Sequence, residues 1–373
     1  KTSPDSDVKE RIPRHYSTQM QVMINALNSM PATENRLTGS AGISVLMANS
    51  LMFQRFPTHA GYEDPQLANF YGLTLPLLKR GVPVKTVHIE NLGYREALAA
   101  TKVLLMTYSN LKPLSPEAHT QLAGWVKAGG IVVYCGRDDD PFQTVSEWWN
   151  SNGNAYAAPA DHLFAQMGIP AAAPGGEYHY GKGVVRILRA DPKEFVLTKG
   201  GDGELIAAVK SLYEGKAKAG ELAFKNNFYL QRGVYDLVAV LDESVGDAPY
   251  TLRGTLIDLY DPELPVCSER TIRPGEQGLF VNVDRVAQKQ RPQVLAAAGR
   301  AYDEKISGRN YTFVVKSPVE TTCVARVLLP KQPRSVKVGG QEVYAPAEWD
   351  AASRTYRLRF ENDPGGVAVG IAW

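Results

Sequence analysis

The sequence is poor in the features that mark several protein classes. It has only three cysteines in 373 residues, Cys135, Cys267 and Cys323, and none of them forms a CxxC pair. Neither a zinc site nor a disulfide framework is therefore indicated, although a single bridge between Cys267 and Cys323 stays open. The net charge is only +2 and no run of lysines or arginines occurs, which argues against nucleic-acid binding. The longest apolar stretches have the length of strands, so we expect no membrane span.

Motifs for metals and cofactors are also missing. None of the six histidines stands in an HxH or HxxxH pair. The stretch YHYGKGVV (178–185) lacks the spacing of a phosphate-binding loop and the Ser or Thr after lysine, and a turn explains it better. In RDDDP (137–141), adjacent carboxylates cannot all converge on one ion, and we expect Asp138 or Asp139 to cap a following helix. We predict no metal and no cofactor.

The first half of the chain does contain a regular alternation of strands and helices. Apolar runs predict strands at 41–48, 82–89, 102–108 and 131–134. Helical spacing predicts helices at 64–81, 93–100, 115–130, 142–168 and 202–215, with a hairpin at 176–188. Ser115 is the expected N-cap of the third of these helices, with Pro116 at its first position. Such alternation favours a parallel sheet that is covered on both faces.

The rest of the chain follows different patterns. A polar lead-in and one helix at 16–30 occupy residues 1–38, and the α/β pattern runs over 39–218. Residues 219–373 show short strands with turn residues between them and no helices. This pattern predicts a second domain that is an antiparallel β-sandwich.

Two stretches resemble a known family. Residues 81–134, GVPVKTVHIENL through TKVLLMTYSNLKPLSPEAHTQLAGWVKAGGIVVY, and YGKGVVRIL (180–188) are similar to one domain of glycoside hydrolase family 42 β-galactosidases. It is the glutamine-amidotransferase-like trimerisation domain that follows their catalytic barrel. The resemblance implies a flavodoxin-like, class I glutamine-amidotransferase-like doubly wound parallel sheet, and an all-β sandwich domain after it.

The resemblance also implies a role and partners. A catalytic barrel needs roughly 250 residues, and nothing of that size precedes residue 41 in this sequence. We therefore expect a non-catalytic accessory region of a carbohydrate-degrading enzyme, whose catalytic acid and nucleophile lie on a barrel absent from this chain. The implied partners are a carbohydrate and a second copy of the chain or a catalytic barrel. If the enzyme is bacterial and degrades glycans, an extracytoplasmic location follows.

Cys135 is the strongest catalytic candidate among the residues. It ends the predicted strand at 131–134, where active amidotransferases carry their nucleophile. A cysteine nucleophile needs a histidine base that is oriented by a third group. The late histidine here is His179, and Glu177 precedes it, which reverses the order His-x-Glu of active amidotransferases. We predict no catalytic residue, and a cysteine hydrolase that uses Cys135, His179 and Glu177 stays an alternative.

Ligand sites in doubly wound sheets lie at the carboxyl ends of the strands. We expect Asn49, Tyr108, Arg137 and Asp138 on that edge, where they would form a ligand or interface crevice. A carbohydrate-binding module is a second alternative, because the aromatic side chains at 148, 149 and 156 suit stacking on sugar rings. Aromatics at helical spacing are more typical of packing.

Overall fold

The chain is a mixed α/β protein with several sheets, in which most strand pairs are antiparallel. A computed structural model describes residues 13–33, 35–48 and 67–373. They form two compact units. The first combines the described residues up to Thr38 with Asn227–Asp242 and Asp247–Trp373, and the second combines Gly39–Asn226 with Glu243–Gly246. None of the helices described has both the length and the apolar character that a membrane span requires.

One helix and one short strand open the first unit. Helix α1 (Arg14–Ser29) confirms the prediction over 16–30, and β1 (Asn35–Leu37) follows it. The buried residues of α1 are Thr18, Val22 and Ala26, which recur at every fourth position. They therefore lie on one side of the helix, which packs into the core of its unit.

The second unit is built on one six-stranded sheet. Its strands are β2 (Ile43–Met47), β3 (Val84–His88), β4 (Val103–Met106), β5 (Ile131–Cys135), β6 (Gly176–Tyr180) and β7 (Gly183–Leu188). The spatial order is β3-β2-β4-β5-β7-β6. Only the β6–β7 hairpin is antiparallel, and the other four neighbouring pairs are parallel. The predicted parallel pairing and the predicted hairpin are thus confirmed.

Helices cover both faces of this sheet. They are α2 (Ala68–Leu78), α3 (Glu117–Lys127), α4 (Pro159–Gln166), α5 (Glu194–Leu197) and α6 (Gly203–Ser211). Strand β5 shows how the faces are divided, because successive side chains of a strand point to opposite sides. Val132 and Tyr134 pack with α3 and α4, whereas Ile131, Val133 and Cys135 pack with α2, α5 and α6. Both sides of the strand are buried, which explains its continuous apolar sequence.

The predicted helix at 93–100 is wrong. A 3-10 turn over Ile89–Asn91 leads instead into irregular turns. Leu92 and Leu98 both reach the core on the α3 side of the sheet. Leu92 lies just before the predicted helix and Leu98 lies within it. Turns allow both to be buried.

Most of the helix predicted at 142–168 is also absent. Only α4 is α-helical there, and a 3-10 turn at Pro141–Thr144 and further turns precede it. The side chain of Asn150 donates to the carbonyl of Val145 (2.8 Å), and that of Asn154 donates to the carbonyl of Trp148 (2.7 Å). Such local bonds compete with helical ones.

Ser115 does not cap α3, which corrects that prediction. Pro116 holds the cap position and makes no side-chain hydrogen bond there. The Ser115 hydroxyl bonds instead to the carboxylate of Glu117.

The rest of the first unit is all-β, as predicted. Its strands are β8 (Asn227–Arg232), β9 (Tyr235–Val240), β10 (Tyr250–Asp258), β11 (Val266–Ile272), β12 (Gln277–Asn282), β13 (Gln293–Ala297), β14 (Arg300–Ser307), β15 (Asn310–Lys316), β16 (Thr322–Leu328), β17 (Ser335–Val338), β18 (Gln341–Glu342), β19 (Trp349–Asp350), β20 (Thr355–Glu361) and β21 (Val367–Ala372). They form antiparallel sheets of order β1-β8-β9-β12-β10-β11, β13-β16-β20-β19 and β14-β15-β21-β17-β18. The last two share one core, as the layers of a β-sandwich do. Cys267 and Cys323 are both free thiols, so the bridge left open by the sequence is not formed.

Candidate functional site

The candidate site lies at the carboxyl ends of β4, β5 and β7. The parallel register of these strands brings the segments 107–112, 136–140 and 189–194 to one edge of the sheet. Asn49, which we predicted on the same edge, lies outside the described residues. Open α/β sheets bind ligands at this edge.

A buried ion pair joins the first two segments. Lys112 Nζ donates to Asp140 Oδ2 (2.7 Å) and to the backbone oxygen of Tyr108 (2.6 Å). Lys112 and Asp140 are only 5% and 7% exposed. Gln143 Nε2 also donates to Asp140 Oδ2 (2.8 Å). Burial lowers the pKa of Lys112, and the Asp140 carboxylate opposes this effect. The pair therefore ties the two loops together in a nearly dry environment.

Asp138 has its own partners. Its backbone has a φ of +61°, a conformation that Asn and Asp tolerate better than most residues. The Tyr134 hydroxyl donates to Asp138 Oδ1, and Arg189 Nη1 donates to Asp138 Oδ2 at 2.5 Å. Burial raises the pKa of this carboxyl, and both bonds counteract the rise. Asp138 thus connects β5 to the segment after β7.

A further aspartate of this edge comes from the segment after β7. Asp191 Oδ1 accepts a bond from Ser109 Oγ (2.6 Å) and one from the Arg137 backbone N–H (3.1 Å). The Arg137 side chain forms a bidentate pair with Glu194, at 2.8 and 2.7 Å. The sequence did not single out Ser109 or Asp191, because they are 82 residues apart and only the sheet brings them together.

The carboxylates of RDDDP do not converge. Asp138 and Asp140 point to different cations, and Asp139 is exposed. Asp140, and neither Asp138 nor Asp139, caps the following 3-10 turn through the N–H of Phe142 (3.0 Å), which corrects our expectation. Among the described residues, no group of three or more His, Cys, Asp or Glu side chains is arranged to hold a metal ion.

A chain of hydrogen bonds runs from Tyr108 toward the surface. Tyr108 and His119 are both fully buried, and the Tyr108 hydroxyl bonds to His119 Nε2 (2.7 Å). His119 Nδ1 bonds to His162 Nδ1 (2.8 Å), and the indole of Trp148 meets both imidazoles edge-on. Burial, and to a lesser degree His162, lowers the pKa of His119 to about 3. No feature of the sequence predicted these hydrogen bonds, because they form only when α3 lies beside α4.

We expect this buried histidine to make stability depend on pH. The pKa of His119 is lower in the folded state than the unfolded value of about 6.5, so the unfolded chain binds the proton first as the pH falls. Between about pH 7.5 and pH 4.5 the free energy of unfolding should fall by about 2–3 kcal/mol through this group alone. Urea unfolding at the two pH values measures the loss, which His119→Gln should reduce by that amount.

His15→Gln is the matched control for this test, because His15 is exposed at the beginning of α1. It should leave the pH dependence as it is in the unsubstituted protein. If the unsubstituted protein and His119→Gln lost the same free energy of unfolding between the two pH values, His119 would not be the source of the pH dependence.

Cys135 is buried in the core below this edge. Its side chain is fully inaccessible, and burial raises the pKa of the thiol far above its usual range, with smaller contributions from Glu204 and Asp191. The next residue, Gly136, continues the ladder by donating to the carbonyl of Leu188 (3.1 Å). Cys135 is also not among the non-glycine residues with positive φ. A nucleophile elbow would need a strained turn at this position.

The structure does not bring His179 to Cys135. His179 pairs in register with Val184, which pairs with Ile131, at the opposite end of β5 from Cys135. Four residues along the strand and two strand spacings across separate the two by about 16 Å. Glu177 does lie beside His179, with Oε1 3.4 Å from Nε2, and it also accepts from Lys216 Nζ (2.9 Å).

The predicted crevice residues are thus placed as follows. Tyr108 is buried, Arg137 is exposed and paired with Glu194, and Asp138 is partly buried between Tyr134 and Arg189. Their role as a ligand or interface crevice stays a prediction. Trp149 is 2% exposed and therefore packs, whereas Trp148 is partly exposed.

Comparisons with known proteins give partial matches of fold. No protein-family profile matches the chain, and no curated protein matches its sequence. A catalytic mutant of a GH42 β-galactosidase from G. stearothermophilus matches at a TM-score of 0.39 and 14% identity, over 65% of this chain and 40% of that one. The β-galactosidase from Bacillus circulans sp. alkalophilus matches at a TM-score of 0.41 and 9% identity, over 71% of this chain and 43% of that one.

A third match is a rhamnosidase from a Novosphingobium species, at a TM-score of 0.29 and 12% identity, over 89% of this chain and 34% of that one. The chain spans less than half the length of each of these three enzymes. What they share with this protein is a partial likeness of fold.

Proposed function

We propose that this chain is a non-catalytic accessory region of a carbohydrate-degrading, β-galactosidase-like glycoside hydrolase. In this proposal, residues 39–218 are a flavodoxin-like, amidotransferase-like domain and 219–373 are a sandwich domain. They mediate oligomerisation and shape the sugar site of a catalytic barrel that lies outside this chain. The resemblance of residues 81–134 and 180–188 to a domain of family 42 enzymes supports this context.

The observation that carries the proposal is the internal pairing at the carboxyl edge of the sheet. Lys112, Asp138, Asp140 and Asp191 all bond to groups of their own unit. A nucleophile needs a nearby base, and a base needs an orienting group. Cys135 is about 16 Å from His179 by strand geometry, and its thiol stays protonated at neutral pH. This arrangement supports the proposal that the carboxyl edge of the sheet has a structural role and carries no catalytic group.

Helix α1 supports the assembly part of the proposal. The side chains of Tyr16, Met20, Ile24 and Leu27 lie on one side of α1 and are 51%, 40%, 44% and 57% exposed. We call these four residues the α1 stripe. The helix carries no Asp, Glu, Lys or Arg after Arg14. Interface cores are depleted of charge, and an uncharged stripe can face its own copy across a two-fold axis without like charges meeting. The partner proposed for the α1 stripe is a second copy of this chain.

Ile24→Glu should weaken this association at least about tenfold, because a carboxylate would have to be buried in an apolar contact. Sedimentation velocity over a range of protein concentrations measures the change. Gln21→Glu, which adds the same charge on another side of α1, is the matched control and should associate like the unsubstituted protein. A protein that stays monomeric throughout, or an Ile24→Glu variant that associates unchanged, would refute the assembly role of the stripe.

A further inference from the structure

The first unit holds a small cavity away from the sheet edge described above. It has a volume of about 210 Å³ and lies between α1, β13 and the beginning of β14. Its floor is made of small buried residues, among them Ala26, Ala296 and Gly299. Small side chains leave a depression there, because no long side chain fills the space between the helix and the two strands.

The opening of the cavity is polar. Six residues with hydrogen-bonding or charged side chains line it: Asn25, Asn28, Ser29, Tyr235, Arg300 and Glu304. Asn25 Nδ2 already donates to the carbonyl of Ala297 (3.0 Å), and the side chains of Ser29 and Tyr235 bond to each other. The Asn28 amide and the second N–H and the oxygen of Asn25 add donors and acceptors, and the one guanidinium balances the one carboxylate. This composition suits a neutral ligand whose groups both donate and accept hydrogen bonds.

Two β-bulges shape the wall. The register of β13 on β16 shifts between Val294 and Ala296, and that of β14 on β15 shifts between Tyr302 and Lys305. Asp303, inside the second bulge, has a φ of +53°. Bulges bend a strand and redirect side chains, and they are frequent beside functional sites. Residues of both bulges, Val294 to Ala296 and Glu304, line the cavity.

The carboxylate of Glu304 is held in place. The hydroxyl of Tyr311, a residue that is 1% exposed, donates to Glu304 Oε2. Burial and the Glu304 carboxylate raise the pKa of Tyr311, so this hydroxyl keeps its proton. Glu304 is therefore fixed by a rigid buried partner, while its second oxygen is available as an acceptor.

We infer that this cavity binds one neutral sugar residue. The hydroxyl groups of a sugar are neutral, and each of them both donates and accepts hydrogen bonds, which matches the balanced polar lining. The volume is below the roughly 300–1,000 Å³ of pockets for drug-sized ligands, so it admits a single ring and not a longer chain. The site lies within one unit and does not depend on the α1 stripe or on association.

Heteronuclear NMR titration tests the inference, with galactose, glucose, mannose and N-acetylglucosamine as probes, each followed by a disaccharide that ends in the same unit. We expect one of them to cause saturable shifts at Asn25, Gly299 and Glu304, with a millimolar dissociation constant. Glu304→Gln should weaken binding at least about tenfold, because a charged acceptor forms stronger hydrogen bonds than a neutral one. Glu269→Gln removes an exposed carboxylate of β11 outside the cavity and should bind like the unsubstituted protein.

A second variant, Asn28→Trp, places a large side chain at the exposed rim and should abolish the shifts. Spectra of both variants report whether they fold. Absence of saturable shifts for every probe, or binding that neither variant weakens, would overturn the inference. Sedimentation of Glu304→Gln separates this result from the proposed assembly role, because loss of sugar binding should leave the association unchanged.

Discussion

The Cys135 thiol should react with iodoacetamide about 1,000-fold or more slowly in the folded protein than in the urea-unfolded chain. Its side chain is fully inaccessible, and burial raises its pKa, so folded Cys135 offers neither access nor thiolate. Reaction then requires local opening of β4, β5 and β7. An opening free energy of about 4 kcal/mol reduces the reactive population about 1,000-fold. Mass spectrometry of the labelled peptides at neutral pH follows each cysteine separately.

The other two cysteines are internal controls. Cys323 is equally inaccessible and its pKa is raised by burial to about 12, so it should be protected like Cys135. Cys267 is partly exposed and should be labelled first. Rapid labelling of Cys135 alone, slowed by His179→Ala, would overturn the non-catalytic role and favour the cysteine hydrolase.

Local patterns were sufficient to predict the strands of the second unit and the all-β character of residues 219–373, but not β1, which lies in a segment without a strand pattern. β4 and β5 are short apolar runs between turn or helix signals, and the YGKG turn at 180–183 marks the β6–β7 hairpin. These features depend on residues that are close in sequence. The helix predicted at 93–100 is replaced by turns, and Leu98 within it is buried in the core beside the sheet, a contact that the local pattern does not contain.

The candidate site was less predictable, for a related reason. The sequence was sufficient to predict Arg137 and Asp138 at the edge of the sheet, because they directly follow β5. Their partners, Glu194 and Arg189, come from the segment after β7, more than 50 residues later. The bulge that presents Glu304 was equally invisible, because a bulge is defined by its pairing with β15 and not by its own residues.

Substitution of Lys112 by methionine should lower the free energy of unfolding by about 3–5 kcal/mol, because it leaves the Asp140 carboxylate buried and without its cation. Urea unfolding followed by fluorescence of Trp148 and Trp149, which lie close to the pair, measures the loss. Adding Asp140→Asn to this variant should recover part of it, because the amide keeps the cap on Phe142 without the charge.

The surface pair Lys79–Glu243 supplies the matched control, with side chains that are 41% and 77% exposed. Lys79→Met should cost less than about 1 kcal/mol, because exposed ion pairs contribute little. Equal effects at the two lysines would mean that the carboxyl edge is not held by its buried pair. Lys112 and Asp140 would then be available to contact a ligand or a neighbouring subunit. Their internal pairing would no longer support a structural role for the carboxyl edge.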